Sequence, residues 1–204
     1  MRLIGMLDSP YVRRVAVSMK LMGIPFDHEP ISVFRDFEQF AEVNPVVKAP
    51  TLFTDDGVVL VDSTLILEYL QRLAPAERRL TPTDLHQHAR AQRILGLALA
   101  ACDKTVQIVY EHNLRPPEIQ FQPWLDRVWR QLRAAYRLLE DETERNGAWR
   151  FGEKPLLADI TAAVTWRFTS HMLKDGVAAD EHPRLARLSE RAEELPEFLS
   201  CPLE

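Results

Sequence analysis

RLIGMLDSPY, residues 2–11, is an apolar run that leads into a polar turn. The run is typical of a buried strand. From Tyr11 to Met22 the apolar residues recur at helical spacing, so a helix is predicted directly after the turn. Ser9 is a suitable N-cap for this helix and Pro10 a suitable first residue, because the N–H that proline lacks would be unpaired there anyway. The chain therefore begins with a strand that turns into a helix at Ser9.

Two roles are open for Ser9. A serine before a helix commonly caps it and does nothing else. The alternative is that its hydroxyl contacts a ligand at the edge of a sheet. Two later segments favour this alternative, because each also places polar groups where a strand-like run meets its neighbour.

The second segment is KAPTLF, residues 48–53. The residue before a proline is biased towards extended backbone, and proline is tolerated at the start of a strand. If the Ala49-Pro50 bond is cis, the backbone of Ala49 turns outward and leaves its N–H and C=O for a ligand. Cis bonds are a minority even before proline, so the sequence leaves the isomer open.

The third segment follows a hairpin signal at Asp55-Asp56-Gly57. Asp62 and Ser63 then open a helix that is predicted over 64–73. The unpaired N–H groups and the positive dipole end of a helix N-terminus favour a carboxylate. Three such polar points are enough to hold a small peptide.

The N-terminal pattern as a whole predicts a small α/β domain in which a βαβ unit precedes a hairpin and a helix. This arrangement resembles a thioredoxin-like domain. The positions of a redox Cys-x-x-Cys motif hold Ser9 and Val12, which excludes dithiol chemistry at that turn. The predicted elements are strand 2–7, helix 11–22, strand 26–31, a short helix near 37–43, strands 51–54 and 58–61, and helix 64–73.

Three motifs, in matching order and spacing, make the chain resemble the cytosolic-type glutathione transferases. It is similar to the small bacterial members that begin with a Ser-Pro-Tyr/Phe-Val-Arg motif. The motifs are Ser9-Pro10-Tyr11-Val12-Arg13-Arg14, Asn44-Pro45-x-x-Lys48-Ala49-Pro50-Thr51-Leu52 and Asp62-Ser63-x-x-Ile66-x-x-Tyr69-Leu70.

The resemblance implies that glutathione is the substrate and that no metal is needed. Lowering the pKa of its thiol from about 8.5 by about two units requires roughly 2.7 kcal/mol of preferential thiolate stabilisation. Ser9 is expected to supply part of this as the catalytic residue, by donating a hydrogen bond to the sulfur, while the helix N-terminus adds a favourable dipole. The nucleophile is the thiolate of the substrate, not Ser9.

The resemblance also implies a glutathione-binding set around Ser9. Ala49 is expected to pair its backbone with the cysteinyl part, with Pro50 cis to present it. Asp62 is expected to meet the γ-glutamyl ammonium and Ser63 the carboxylate. Lys48 and Arg35 are suited to a glutathione carboxylate, Arg35 to the glycyl end, although charged residues on loops are commonly just solvated.

Two points about the reacting groups stay open. Tyr11 is a rival hydroxyl, but it falls inside the first helical turn. By resemblance the electrophile site is lined by helices of the second domain, where Tyr110, Asn113, Trp166 and Phe168 are candidates. Aromatic residues at helical spacing are, however, usually part of a core.

The domain organisation follows from the disappearance of strand signals after a proline-punctuated stretch. Residues 1–75 are predicted to form the thioredoxin-like glutathione-binding domain, 76–84 a linker, and 85–204 an all-helical C-terminal bundle. In the last domain a family capping box is altered, since Leu156 cannot act as a side-chain acceptor, whereas Asp159 can still accept from an orphan N–H. The predicted helices are 85–110, 124–145, 156–173 and 183–195.

Composition excludes several classes of protein. The chain has 204 residues, of which 46% are hydrophobic, and its 25 Lys and Arg against 30 Asp and Glu give a net charge of −5. No basic, aromatic-rich strip indicates nucleic acid binding, and no apolar stretch of about 18 residues indicates a membrane span. Cys102 and Cys201 suggest no disulfide framework, so a cytoplasmic location is expected. No His, Cys, Asp or Glu cluster has metal-ligand spacing.

Three functions remain at this point. The first is conjugation of glutathione to a small hydrophobic electrophile, with a homodimer expected by resemblance. The second is another glutathione-dependent reaction, such as isomerisation, dehalogenation or peroxide reduction. The third is a non-catalytic, transferase-like interaction protein, which is disfavoured because Ser9, Asp62 and Ser63 are all present.

Overall fold

The computed structural model of the protein describes residues 1–144, 149–174 and 176–203. The chain divides into two compact units. The first comprises Met1–Leu80 together with Glu194–Glu204, and the second comprises Thr81–Glu193.

The first unit is a four-stranded mixed sheet with helices, which confirms the predicted thioredoxin-like fold. The strand order is β2-β1-β3-β4. β1 pairs parallel to β2 and antiparallel to β3, and β3 pairs antiparallel to β4. In chain order the elements are β1 (Arg2–Ile4), α1 (Pro10–Met22), β2 (Asp27–Glu29), α2 (Phe37–Val43), β3 (Thr51–Phe53), β4 (Val59–Val61) and α3 (Ser63–Leu73).

The first strand is shorter than the predicted 2–7. It ends at Ile4 because Gly5 has a φ of +133°, outside the extended region that a strand needs. Around this point Ile4, Ile31 and Phe40 form a buried cluster, and Val47 and Ala49 pack against it. Burial of one such large apolar side chain stabilises by roughly 1.5–3 kcal/mol, so this cluster helps to fix the loop before β3.

The second unit is helical, as predicted, and α4 is the helix against which α5 and α6 pack. The first predicted helix, 85–110, continues to Leu114 and stops two residues before Pro116, consistent with the restriction that proline places on the residue before it. The predicted helix 124–145 starts earlier, at Gln122, and ends at Glu142, so that Arg145 lies outside the described residues. The helices are α4 (Leu85–Leu114), α5 (Gln122–Glu142), α6 (Leu157–Met172) and α7 (Pro183–Glu193).

The C-terminal segment groups with the first unit, whereas the predicted helical domain extended to residue 204. Residues 194–203, which include the short helix α8 (Pro196–Leu199), belong with the first unit and not with the helical one. Arg13 in α1 is fully buried, and its Nε donates to the carbonyl oxygen of Cys201 at 2.7 Å while its guanidinium carbon lies 5.5 Å from the centre of the Phe198 ring. A four-residue helix is too short to show this attachment through periodicity.

The altered capping box works as predicted. Asp159 accepts the backbone N–H of Leu156 at 3.0 Å and that of Arg150 at 3.1 Å. Burial raises the pKa of the Asp159 carboxyl, although these two hydrogen bonds lower it. One carboxylate therefore ties the start of α6 to the segment before it.

A buried cluster of rings joins α5, α6 and the residue that precedes α7. The Tyr136 hydroxyl donates to Thr169 Oγ1 at 2.6 Å, and the Tyr136 ring meets Trp166 edge-on with centroids 5.3 Å apart. The ring of His182 lies 5.7 Å from Tyr136 and 5.6 Å from Trp166, and only 4% of the residue is exposed. Within the described residues its Nδ1 has no hydrogen-bond partner.

Burial lowers the pKa of His182 below 6.5, while the charges of Glu140 and Glu181 raise it. The unfolded chain therefore binds a proton in a pH range where the folded protein does not, so the free energy of unfolding rises with pH in that range. The stabilisation from the neutral imidazole is complete above pH 6.5 and is lost as the pH falls below it.

We expect His182→Phe, which keeps a ring but cannot titrate, to lose less stability than the wild type below pH 6.5. Urea unfolding between pH 5.5 and 8 measures this, with His171→Phe at an exposed histidine as the matched control. Wild-type and His182→Phe curves that run parallel over the whole range would contradict the assignment.

Candidate functional site

Contacts within the first unit bring the three predicted site segments together. A Cβ atom added to Gly5 would lie 2.7 Å from Cγ2 of Val12 and 3.1 Å from Cβ of Ala49. The loop before β3 therefore packs against the turn that leads into α1. On the other side of this turn, α1 is tied to the start of α3 by the Arg14 side chain, whose Nη1 donates to Ser63 Oγ at 2.9 Å.

Ser9 caps α1, as one of its two roles requires. Its Oγ accepts the N–H of Val12 at 3.5 Å, a long hydrogen bond, and its backbone N–H donates to the Met6 carbonyl oxygen at 3.2 Å. The cap uses the hydroxyl oxygen as an acceptor and so does not consume the hydroxyl proton. Capping and donation to a ligand are therefore compatible at this residue, which is half-buried.

The Ala49-Pro50 peptide bond is cis, which is the isomer that the resemblance implies. Ala49 is half-buried, and no turn or loop hydrogen bond in the described part of the chain uses its N–H or C=O. The side chain of the preceding Lys48 is exposed. The backbone of Ala49 is thus available for pairing with an extended ligand.

A buried pair that sequence reasoning missed holds this loop in place. Thr51 Oγ1 accepts from Asn44 Nδ2 at 2.8 Å and donates to the Lys48 carbonyl oxygen at 2.7 Å. Asn44 Oδ1 in turn accepts the N–H of Val46 at 3.1 Å. Both residues lie in the second motif, but a pattern of residue types does not show which side chain meets which carbonyl.

Asp62 and Ser63 stand at the start of α3, as predicted. Asp62 has a φ of 69°, a value that residues other than glycine rarely adopt, and its Oδ1 accepts the N–H of Thr64 at 2.9 Å. Residues held in sparsely populated backbone regions cluster at ligand clamps and active sites. Ser63 is buried with 3% exposed, and its hydroxyl accepts from Arg14.

Arg35 lies closer to the first turn than its loop position suggests. Its Nη2 is 3.7 Å from the Met6 sulfur, three residues before Ser9, and its backbone N–H donates to Ser32 Oγ at 3.1 Å. The guanidinium therefore stands beside the segment that carries Ser9. The described structure contains no comparable contact that holds the Lys48 ammonium near this segment.

The remaining candidates divide between core and surface. Trp166 and Phe168 are 5% and 6% exposed, and Trp166 packs in the ring cluster with Tyr136. Both side chains are buried, and their role as electrophile contacts stays a prediction. Tyr110 and Asn113 are exposed on α4, and Tyr11 is the second residue of α1, inside the first turn as predicted.

Two kinds of feature are absent from the described residues. They contain no group of three or more His, Cys, Asp and Glu residues that could hold a metal ion. None of their helices is long and apolar enough to cross a membrane.

The protein thus belongs to a class that combines a thioredoxin-like unit with a helical unit and has polar groups around its first helix. Two family models match this arrangement. The model of the glutathione S-transferase N-terminal domain matches residues 3–78, and that of the C-terminal domain matches residues 122–191. The chain belongs to the glutathione S-transferase family.

Curated relatives agree over most of the chain. A maleylacetoacetate isomerase of Pseudomonas aeruginosa is 30% identical over 200 residues, which are 91% of this chain and 87% of the relative. Glutathione S-transferase theta-3 of Mus musculus is 31% identical over 200 residues, 92% of this chain and 79% of the relative.

Solved bacterial structures extend the agreement to the fold. A glutathione S-transferase of Methylobacterium radiotolerans in complex with glutathione sulfonate has a TM-score of 0.89 and 28% identity, covering 98% of this chain and 93% of that one. A glutathione transferase family member of Pseudomonas fluorescens with bound glutathione has a TM-score of 0.85 and 28% identity, covering 100% and 98%.

Gly5→Ala tests the contact that brings the loops together. We expect it to cost about 2–4 kcal/mol, because the new methyl group meets Val12 and Ala49 and alanine is strained at a φ of +133°. Gly57→Ala is the matched control, with a φ of +84° and nothing within 4 Å of the new atom, and should cost about 1–2 kcal/mol. Equal losses in denaturant unfolding would show that the contact at Gly5 is unimportant.

Thr51→Val tests the buried pair. The variant keeps the shape of the side chain but leaves Asn44 Nδ2 and the Lys48 carbonyl without their partner, so a loss of about 1–3 kcal/mol is expected. Thr51→Ser keeps the hydroxyl and serves as the control. If chemical denaturation finds the valine variant as stable as the serine variant, the hydroxyl does not hold the loop.

Proposed function

We propose that this protein is a glutathione transferase that binds glutathione at the first unit and activates its thiol for attack on a small hydrophobic electrophile. The observation that carries the proposal is the cap at Ser9, whose oxygen accepts the N–H of Val12 and whose proton is not used by the cap. The turn that carries Ser9 packs against the loop that carries Ala49. Glutathione in the solved bacterial structures supports the choice of substrate. The Ser-Pro-Tyr-Val-Arg start supports a place among the small bacterial members.

Groups of the three segments, together with Arg35, bind the different parts of glutathione. Asp62 faces the γ-glutamyl ammonium, and Ser63 with the N–H groups of α3 faces the adjacent carboxylate. The Ala49 backbone, presented by Pro50, pairs with the cysteinyl residue. Lys48 pairs with a carboxylate of glutathione, and Arg35 faces the glycyl end. Each contact matches a charge or a hydrogen-bonding group with its complement.

Activation of the glutathione thiol requires a hydrogen-bond donor to the sulfur and a positive electrostatic field around it. The Ser9 hydroxyl donates to the sulfur, and the N-terminus of α1 adds a positive dipole end, so the thiolate is favoured over the thiol. The thiol proton leaves to solvent. The thiolate attacks an electrophilic carbon of the second substrate, forming a C–S bond as a leaving group departs or as an activated double bond is saturated.

A second reaction is favoured by one comparison, the relative named maleylacetoacetate isomerase. The same thiolate can add to an activated double bond, allow rotation about the resulting single bond, and leave again. Glutathione is then unchanged at the end. Assays for conjugate formation and for glutathione-dependent isomerisation separate the two reactions.

We propose further that the protein is a cytoplasmic homodimer. Exposed apolar side chains on the first unit, Val46 at 70% and Leu65 at 59%, can be covered by a second copy. Cys102 and Cys201 are both buried, and no disulfide joins them in the described structure, which suits a reducing compartment.

The difference spectrum of the thiolate band on titration with glutathione at neutral pH tests the role of Ser9. We expect a saturable thiolate signal in the wild type and its loss or weakening in Ser9→Ala, with a roughly 10- to 100-fold slower reaction at neutral pH if the bound thiol regains one to two pKa units. Ser9→Thr keeps both the cap and the hydroxyl and should retain the signal.

Parallel unfolding measurements remove the effect of the cap, whose loss costs about 0.5–2 kcal/mol. Glutathione binding without a thiolate in the wild type would point to another activating group or another glutathione-dependent role. Absence of glutathione binding would favour the non-catalytic interaction protein.

A further inference from the structure

We propose that Arg14 is a positioning residue for the γ-glutamyl carboxylate of the substrate, acting through Ser63. The proposal rests on the glutathione site described above and adds a residue to it. Arg14 belongs to the first motif, but its local sequence indicates no role for it. It belongs to α1, whereas the residues that face the γ-glutamyl group stand at the start of α3.

The Arg14 guanidinium contacts the two hydroxyls at the start of α3, where the γ-glutamyl carboxylate is proposed to bind. Arg14 is 1% exposed, and its Nη1 is 2.9 Å from Ser63 Oγ and 3.4 Å from Thr64 Oγ1. Both hydroxyls belong to the first turn of α3. A buried positive charge is therefore added to the positive dipole end of that helix, where a carboxylate is favoured.

The chemistry of the contact sets the direction of one proton. A guanidinium has five N–H donors and no acceptor, so Ser63 Oγ can only accept from Arg14. The hydroxyl proton of Ser63 must then point away from Arg14. Because its oxygen already accepts from Arg14, the Ser63 hydroxyl can donate its proton to a ligand on the opposite side. A carboxylate accepts such a hydrogen bond, whereas an ammonium cannot.

The second contact links the two halves of the γ-glutamyl site. Thr64, which Arg14 also reaches, donates its backbone N–H to Asp62 Oδ1 at 2.9 Å. Arg14 thus contacts both sides of the γ-glutamyl site. It donates to Ser63, which faces the carboxylate, and it contacts Thr64, which holds Asp62 for the ammonium.

The neighbouring Arg13 shows that burial alone does not define this role. Arg13 lies on the same helix and is equally buried, but it donates to the Cys201 carbonyl and stacks over Phe198. It fixes the C-terminal segment to α1. Arg13 is therefore a matched control, since its removal disturbs a buried arginine on the same helix without touching Ser63.

Calorimetric titration of two ligands tests the proposal. One is glutathione, and the other is 4-aminobutyryl-cysteinyl-glycine, which lacks only the γ-glutamyl α-carboxylate. The wild type is expected to prefer glutathione. Arg14→Met should weaken glutathione binding by about tenfold or more and change binding of the analogue by less than about twofold, as for loss of a charged hydrogen bond. Arg13→Met should keep the wild-type preference.

Action through Ser63 has its own signature. In a Ser63→Ala background, Arg14→Met should lower glutathione affinity by less than about twofold further, because the shared interaction is already lost. In steady state, Arg14→Met should raise KM for glutathione and leave kcat nearly unchanged, whereas Ser9→Ala lowers kcat. Arg14→Lys, which keeps the charge, should lose part of the preference for glutathione over the analogue. It replaces Arg14→Met as the test variant if the methionine variant does not fold.

Other results would overturn the proposal in distinguishable ways. Equal weakening of both ligands by Arg14→Met, unchanged preference in Arg14→Met or Arg14→Lys, or full additivity with Ser63→Ala would refute the role of Arg14 and leave the glutathione site standing. Failure of the wild type to bind either ligand would refute the proposed function itself, and the role of Arg14 with it.

Discussion

The close approach of Gly5 to Val12 and Ala49 is the constraint on which the site depends. A residue with a side chain at position 5 would separate the turn before α1 from the loop before β3. With glycine there, the turn that carries Ser9 packs against the loop that carries Ala49. The start of α3, which carries Ser63, is held against α1 by a hydrogen bond from the buried Arg14. The proposed site thus depends on two contacts, the close packing that glycine allows at position 5 and the hydrogen bond from Arg14 to Ser63.

Local signals in the sequence predicted most of the fold. The strand-turn-helix at Ser9, the hairpin at Asp55-Asp56-Gly57 and the helix that follows Asp62 each depend on residues within a few positions of one another, and each is present. The second unit was predicted as helical from apolar periodicity alone. Boundaries were less accurate, because strands end where backbone geometry changes, as at Gly5, and not where apolar residues stop.

What the sequence could not show depends on partners far apart in the chain. Arg14 meets Ser63 across 49 positions and Arg13 meets Cys201 across 188. Two adjacent arginines on a helix look like a solvated face, and nothing local distinguishes one that positions a hydroxyl from one that anchors the C-terminal segment. The same holds for Asn44 and Thr51, which stood inside a recognised motif without a role, and for Trp166, whose burial among Tyr136 and His182 is decided by packing.

A crystal structure of the protein with glutathione is the most direct test of the central claim that these segments form one glutathione site. The account predicts the sulfur within hydrogen-bond distance of Ser9 Oγ, the cysteinyl backbone paired with Ala49, and the γ-glutamyl carboxylate on Ser63 with Arg14 behind it. Glutathione bound elsewhere, or bound with its sulfur facing Tyr11 and away from Ser9, would contradict it.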